Sequence, residues 1–120
     1  DRYSIGQKQS AIHHIFPKSS FPRIAMYIEN LIALTSAQHL QEAHPGGNTR
    51  KIDKDFQYTC LICKADRIKK NIEGELGIPV KYSFSDFMFV LDVGLSTDYF
   101  EQLEENDFNA VLAGIEANYS

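Results

Sequence analysis

The chain reads as an α+β protein, with two short strands and a helix in its first third and helices from there to the end. Three observations lead to that class. The apolar runs at 10–16 and 31–34 are too short for helices and are bounded by turn residues. Thr35 and Gln38 form a helix-capping pattern directly after the second run. From Asp53 onward, apolar residues recur at helical spacing between further capping residues and glycine breaks.

Residues 1–9 are polar, with Gly6 as a turn candidate. Ser10 to Phe16 suits a strand ended by Pro17, which lacks a ladder donor. Lys18 to Pro22 is loop, and Ile24, Ala25, Met26 and Ile28 suit one helical turn or an ordered loop. Leu31 to Leu34 is the second strand. The helix that Thr35 opens holds His39 in its first turn and ends by Pro45-Gly46-Gly47. A longer helix follows from about Asp53 to Glu73, with Leu61, Ala65, Ile68 and Ile72 as its buried stripe. Lys64, Arg67 and Lys70 are expected off that stripe. Gly74 and Gly77-Ile-Pro79 break the chain, and Ser83 with Asp86 then caps a Phe- and Val-rich helix that stops near Gly94. Ser96 or Thr97 is expected to cap a further helix to about Asn106. Asp107 caps the last helix, with Phe108, Val111, Leu112 and Ile115 on one face. The expected organisation is a core over 1–52 and a helical extension over 53–120, packed as a single domain.

At 120 residues the chain is long enough for one modest core. No apolar run approaches the roughly 20 residues needed to span a bilayer, and no signal peptide opens the sequence. Cytoplasmic residence is the expectation, and two cysteines three apart give no disulfide framework. Because Cys60-Leu-Ile-Cys63 falls inside a predicted helix and a structural zinc site needs four ligands, both are expected to be buried thiols. The first residue is Asp1, not methionine, which suggests a fragment or trimmed chain from which a part that selects the target is missing. The net charge of −4 is unevenly spread. Residues 1–81 carry all 12 Lys and Arg against 8 acids, while residues 82–120 carry 8 acids and no Lys or Arg. Nucleic acid is therefore expected on the first part of the chain and not on the last.

The four histidines, His13, His14, His39 and His44, all lie within one third of the sequence. Neighbouring residues on a strand point to opposite faces, so His13 and His14 suit two separate tasks better than joint chelation of one ion. The adjacent pair followed by Ile-x-Pro, then Asn30-Leu31, then His39 nine residues after the asparagine, resembles the signature of the HNH (ββα-metal) endonucleases.

That resemblance implies a strand–loop–strand–helix core that hydrolyses DNA phosphodiesters with one divalent ion. It implies His13 as a metal ligand, His14 as the general base and His39 as a second ligand. Asn30 would tie the loop between the strands by hydrogen bonds to backbone. An imidazole suits the base role because its pKa in free solution, about 6.5, leaves it largely neutral at physiological pH. Histidine-rich members often carry a third ligand four residues beyond the helix histidine, and here that position is Ala43. His44, one residue later, lies about 140° round the helix from His39 and is a candidate additional ligand only if the helix end turns inward. Imidazole ligands favour Zn, Ni or Mn, and Mg prefers oxygen. Lys18, Arg50, Lys64, Arg67 and Lys70 are the expected contacts to the nucleic-acid backbone. The AHPGGNT stretch resembles bacterial restriction and defence nucleases, and a homo-oligomer or a separate specificity domain would complete such an enzyme. Two rivals stand beside this reading: a non-catalytic HNH-like module that holds nucleic acid or a protein, and a structural metal domain built on His13, His39 and His44.

Overall fold

The computed structural model describes residues 10–35 and 53–120. The expected helix carrying His39 and His44, and Arg50 with it, lie outside these described residues. Two antiparallel strands come first, β1 (Ser10–His14) and β2 (Leu31–Thr35), with His13 opposite Ile32 and His14 opposite Leu31. Three α-helices follow among the described residues: α1 (Lys54–Ile72), α2 (Phe84–Leu95) and α3 (Phe108–Tyr119). The class is α+β. Among the described residues no helix is long and apolar enough to cross a membrane.

The strand–strand connection is ordered by two 3-10 turns, Pro22–Ile24 and Ile28–Asn30, where sequence alone left a helical turn or a loop open. β1 ends two residues earlier than expected, and the agent is not Pro17. The Ile15 N–H still reaches the Asn30 carbonyl at 2.8 Å, but the Phe16 N–H is taken by the Asn30 side chain, also at 2.8 Å. A side-chain amide has replaced the ladder partner, and the backbone turns away.

The two caps expected from the sequence, Ser83 and Asp107, form, and Asp53 caps α1 as well. Asp53 accepts from Phe56 N–H, Ser83 from Asp86 N–H and Asp107 from Ala110 N–H. The helix expected from Ser96 to Asn106 does not. Ser96 closes α2 in the left-handed region, with φ of 56°. Asp92 then reaches forward from α2 to accept the N–H groups of Phe100 and Glu101, at 3.0 and 2.9 Å. Only one 3-10 turn, Phe100–Gln102, survives between them and Asn106, itself at φ 67°.

One hydrophobic cluster joins the strand–loop unit to the helices. Ile15, Phe16 and Ile24 lie in it with Leu61 and Ile68 of α1, Phe87 and Leu91 of α2, and Ile115 of α3. The fit is close at Gly94, where a β-carbon would fall 2.5 Å from atoms of the Phe16 ring. Phe16 is only 1% exposed and packs within the core cluster. Gly94→Ala gains up to ~1 kcal/mol in helix propensity but overpacks the core at a cost of about 1–3 kcal/mol. The expected outcome is a net loss of stability, read as a lower urea midpoint at an unchanged slope.

Candidate active site around the histidine pair

The pleat of β1 separates the two histidines. His13 is on the inner face, 3% exposed, with its ring centroid 6.1 Å from that of Phe56 on α1. His14 is on the other face, beside exposed Ile12 and Ala33, and is only partly buried. Its Nε2 lies 3.1 Å from the backbone carbonyl oxygen of Ala25. A carbonyl only accepts, so this contact places the ring proton on Nε2 and leaves Nδ1 as the basic nitrogen. The loop between the strands thus sets both the orientation and the tautomer of His14.

That loop is itself held by Asn30, which is fully buried. Its Oδ1 accepts from Phe16 N–H at 2.8 Å, and its Nδ2 donates to the carbonyls of Phe16 and Ile24 at 3.1 and 3.3 Å. Ile24 directly precedes Ala25, so the amide fixes the position of the carbonyl that holds His14. Asn30 has the structural position expected of it, and touches backbone only through these bonds.

Three further residues support the site, and sequence reasoning missed them. Gln57, buried on α1, donates to the Ile15 carbonyl at 2.9 Å and accepts from the Tyr119 hydroxyl of α3. Glu29, 3% exposed, accepts the Ser83 N–H at 2.9 Å, at the positive N-terminal end of α2. The signal for Gln57 was available: it stands four residues before Leu61, so it is a polar residue on an apolar stripe. Burial raises the pKa of the Tyr119 phenol well above its ordinary value, and the nearby Cys60 adds to the rise. Glu29 offered no such signal.

The expected nucleic-acid contacts divide. Lys18 is exposed on the loop, and Arg67 and Lys70 are exposed on α1. Lys70 is paired with Asp66 at 3.0 Å. Lys64 is a correction: it is 5% exposed and donates to the Tyr82 hydroxyl at 2.9 Å, so it is not available to phosphate. The cause is angular, because Lys64 sits about 60° from Leu61 round the helix, within the arc of the stripe and not beside it. The cysteines are also corrected in part: Cys60 is buried, but Cys63 is exposed. Among the described residues, no three or more His, Cys, Asp or Glu side chains gather as a metal site.

No known protein family, curated protein or solved structure matched the chain.

The Lys64–Tyr82 pair makes a pH signature. Burial alone would raise the Tyr82 pKa, but hydrogen bonding and charge from Lys64, with Arg67 and Lys81, outweigh it and bring the value below 10. Between that lowered value and the ordinary one, the folded chain holds fewer protons than the unfolded chain. Tyr82 therefore contributes stability that is complete above the unfolded pKa and is lost as pH falls through the folded pKa. Tyr119 has the opposite sign, since its raised pKa costs stability as pH climbs past about 10. Tyr82→Phe should remove the favourable alkaline component and Tyr119→Phe the unfavourable one, read by denaturant titration across pH 8–11.

Proposed function

We propose that this chain is a metal-dependent endonuclease of the HNH type that hydrolyses DNA phosphodiester bonds, with His14 as general base. The observation that carries the reading is the contact of His14 Nε2 with the Ala25 carbonyl. An imidazole pinned by one nitrogen on a half-open face, with its second nitrogen basic, suits removal of a proton from an attacking water. The strand–loop–strand arrangement, with Asn30 locking the loop from within, supports it further. The ββα-metal core itself belongs to this proposal, because the helix that would complete it is not among the described residues.

The donor chemistry fits a metal in part. His13 offers an imidazole on the face opposite His14, and on this reading His39 supplies the second ligand, with His44 as a candidate third. His14 is not a ligand here, since its Nε2 is committed to a carbonyl and the pleat turns it away from His13. Imidazole donors favour Zn, Ni or Mn over Mg. When bound, a divalent ion supplies positive charge to the phosphoryl oxygens and the leaving 3′ oxygen. His14 Nδ1 accepts the proton of the water that attacks phosphorus, and the Ala25 carbonyl stabilises the imidazolium that forms. The products on this reading carry a 5′-phosphate and a 3′-hydroxyl. Restriction or defence is the biological setting we assign to it, and a homo-oligomer or a separate specificity domain would supply target choice.

A plasmid-nicking assay with Mg, Mn, Zn and Ni tests the activity. His14→Ala should lower the nicking rate by about 10²–10⁴-fold, with metal affinity and folding nearly intact by calorimetry. Absence of nicking by the parent chain with every metal would favour a non-catalytic binding module instead.

A second expectation concerns where the nucleic acid lies. Replacing Arg67 and Lys70 with Gln should flatten the dependence of DNA affinity on salt, by about one unit of slope for each phosphate that these side chains neutralise. Lys64→Met should leave that slope unchanged and alter the unfolding midpoint, because its ammonium faces Tyr82. An equal change of slope for Lys64→Met would show that Lys64 leaves its buried position to meet phosphate.

A further inference from the structure

We propose that an open groove along α2 is the docking site for a basic amphipathic helix of a partner protein. The groove has a volume of about 1340 Å³ and is bounded by α2, by the chain near Val80–Tyr82 and by the segment between α2 and α3. That exceeds the range of about 300–1,000 Å³ usual for small-molecule sites.

Its α2 wall is formed by Ser85, Met88, Phe89, Asp92 and Ser96. These positions follow the spacing of one helix face, from the first turn to the C-cap. They span roughly 16 Å at 1.5 Å per residue, the length of three helical turns. Phe87, Val90 and Leu91 are at 0% exposure on the inner side of α2, while on the groove side Phe89 and Val93 are only partly covered, between the polar Ser85, Asp92 and Ser96. A partly uncovered apolar strip rimmed by polar residues is the pattern of an interaction surface. The groove is where the cover from the described residues stops.

Charge selects the occupant. Asp98, Glu101 and Glu105 stand exposed among the lining residues, and Arg23 is the one basic side chain among the described residues that line it. The Arg23 guanidinium is drawn to one end, 5.4 Å from the centre of the Phe89 ring. Residues 82–120 contain no Lys or Arg, so the rim has no counter-charge from its own segment. An apolar floor with an acidic rim complements a helix with apolar anchors at i, i+4 and i+7 and Lys or Arg beside them. A nucleic acid is repelled by the same rim. A second copy of this chain does not supply the match through α1, whose exposed positions from Lys54 to Lys70 are charged, Thr59 or Cys63 and offer no apolar anchor.

The inference uses no part of the nuclease reading, and its test involves no cleavage. The probe is a fluorescent Leu/Lys peptide of about 14 residues with its leucines on one helical face, compared with a scrambled peptide of the same composition. Anisotropy at near-physiological salt should show the amphipathic peptide binding at least ~10-fold tighter than the scrambled one. Reversing the rim with Glu101→Lys and Glu105→Lys should weaken it by a further ~10-fold or more. Val93→Gln should weaken it several-fold, and Glu116→Lys, outside the groove, should not. Circular dichroism of each variant separates lost binding from lost folding. Equal binding of the two peptides would overturn the proposal, as would indifference to the rim reversal. So would a dimer in sedimentation that Glu101→Lys dissociates, because the groove's occupant would then be a second copy.

Discussion

The buried amide of Asn30 is the constraint on which the histidine site depends. One side chain makes three hydrogen bonds to backbone, two of them to Phe16 and one to Ile24. Each such bond contributes only ~1 kcal/mol net, but leaving the buried Phe16 N–H without an acceptor costs about 1–3 kcal/mol more. The amide ends β1, closes the connection between the strands and positions the carbonyl of Ala25. No aliphatic residue of similar volume has a donor and an acceptor to offer at that place. The orientation of His14 is thus a consequence of one buried polar residue sixteen positions away.

The helices hold this unit through three contacts. Gln57 extends the pattern of β1 by taking the Ile15 carbonyl, and is itself held by Tyr119. Glu29, next to Asn30 in the chain, anchors the start of α2 through the Ser83 N–H. Gly94 lets α2 close directly on the ring of Phe16. These contacts tie polar backbone groups at the end of β1 into the same cluster that buries its apolar residues. The helical part of the chain is therefore a support for the strand–loop unit as well as packing material.

The basic and acidic parts of the sequence have different uses in the fold. On α1, burial removes Lys64 from the set of surface cations and gives it to Tyr82, while Arg67 and Lys70 remain outside. In the last third, Asp92 caps a turn and Glu101 and Glu105 border the groove on α2. The acids there are part structural and part surface, so net charge alone separates neither role.

The sequence by itself determined the α+β class, the two strands and the three long helices. Periodicity placed α1 within a residue of its bounds, and Ser83 and Asp107 announced two caps, because capping and helical spacing are local physics. It also determined that His13 and His14 point apart, since the pleat has a period of two. Only the tertiary structure decided what each side chain meets. It took Lys64 out of solvent, made Gln57 a bridge, and dissolved the helix expected after Ser96 by bringing Asp92 to the N–H groups of Phe100 and Glu101. Those outcomes depend on contacts with chain segments distant in sequence or on reach across a turn, and no local pattern encodes such distances. The Ala25 carbonyl is the sharpest case. It is a backbone atom of a small residue, invisible to any motif, and it gives His14 its tautomer.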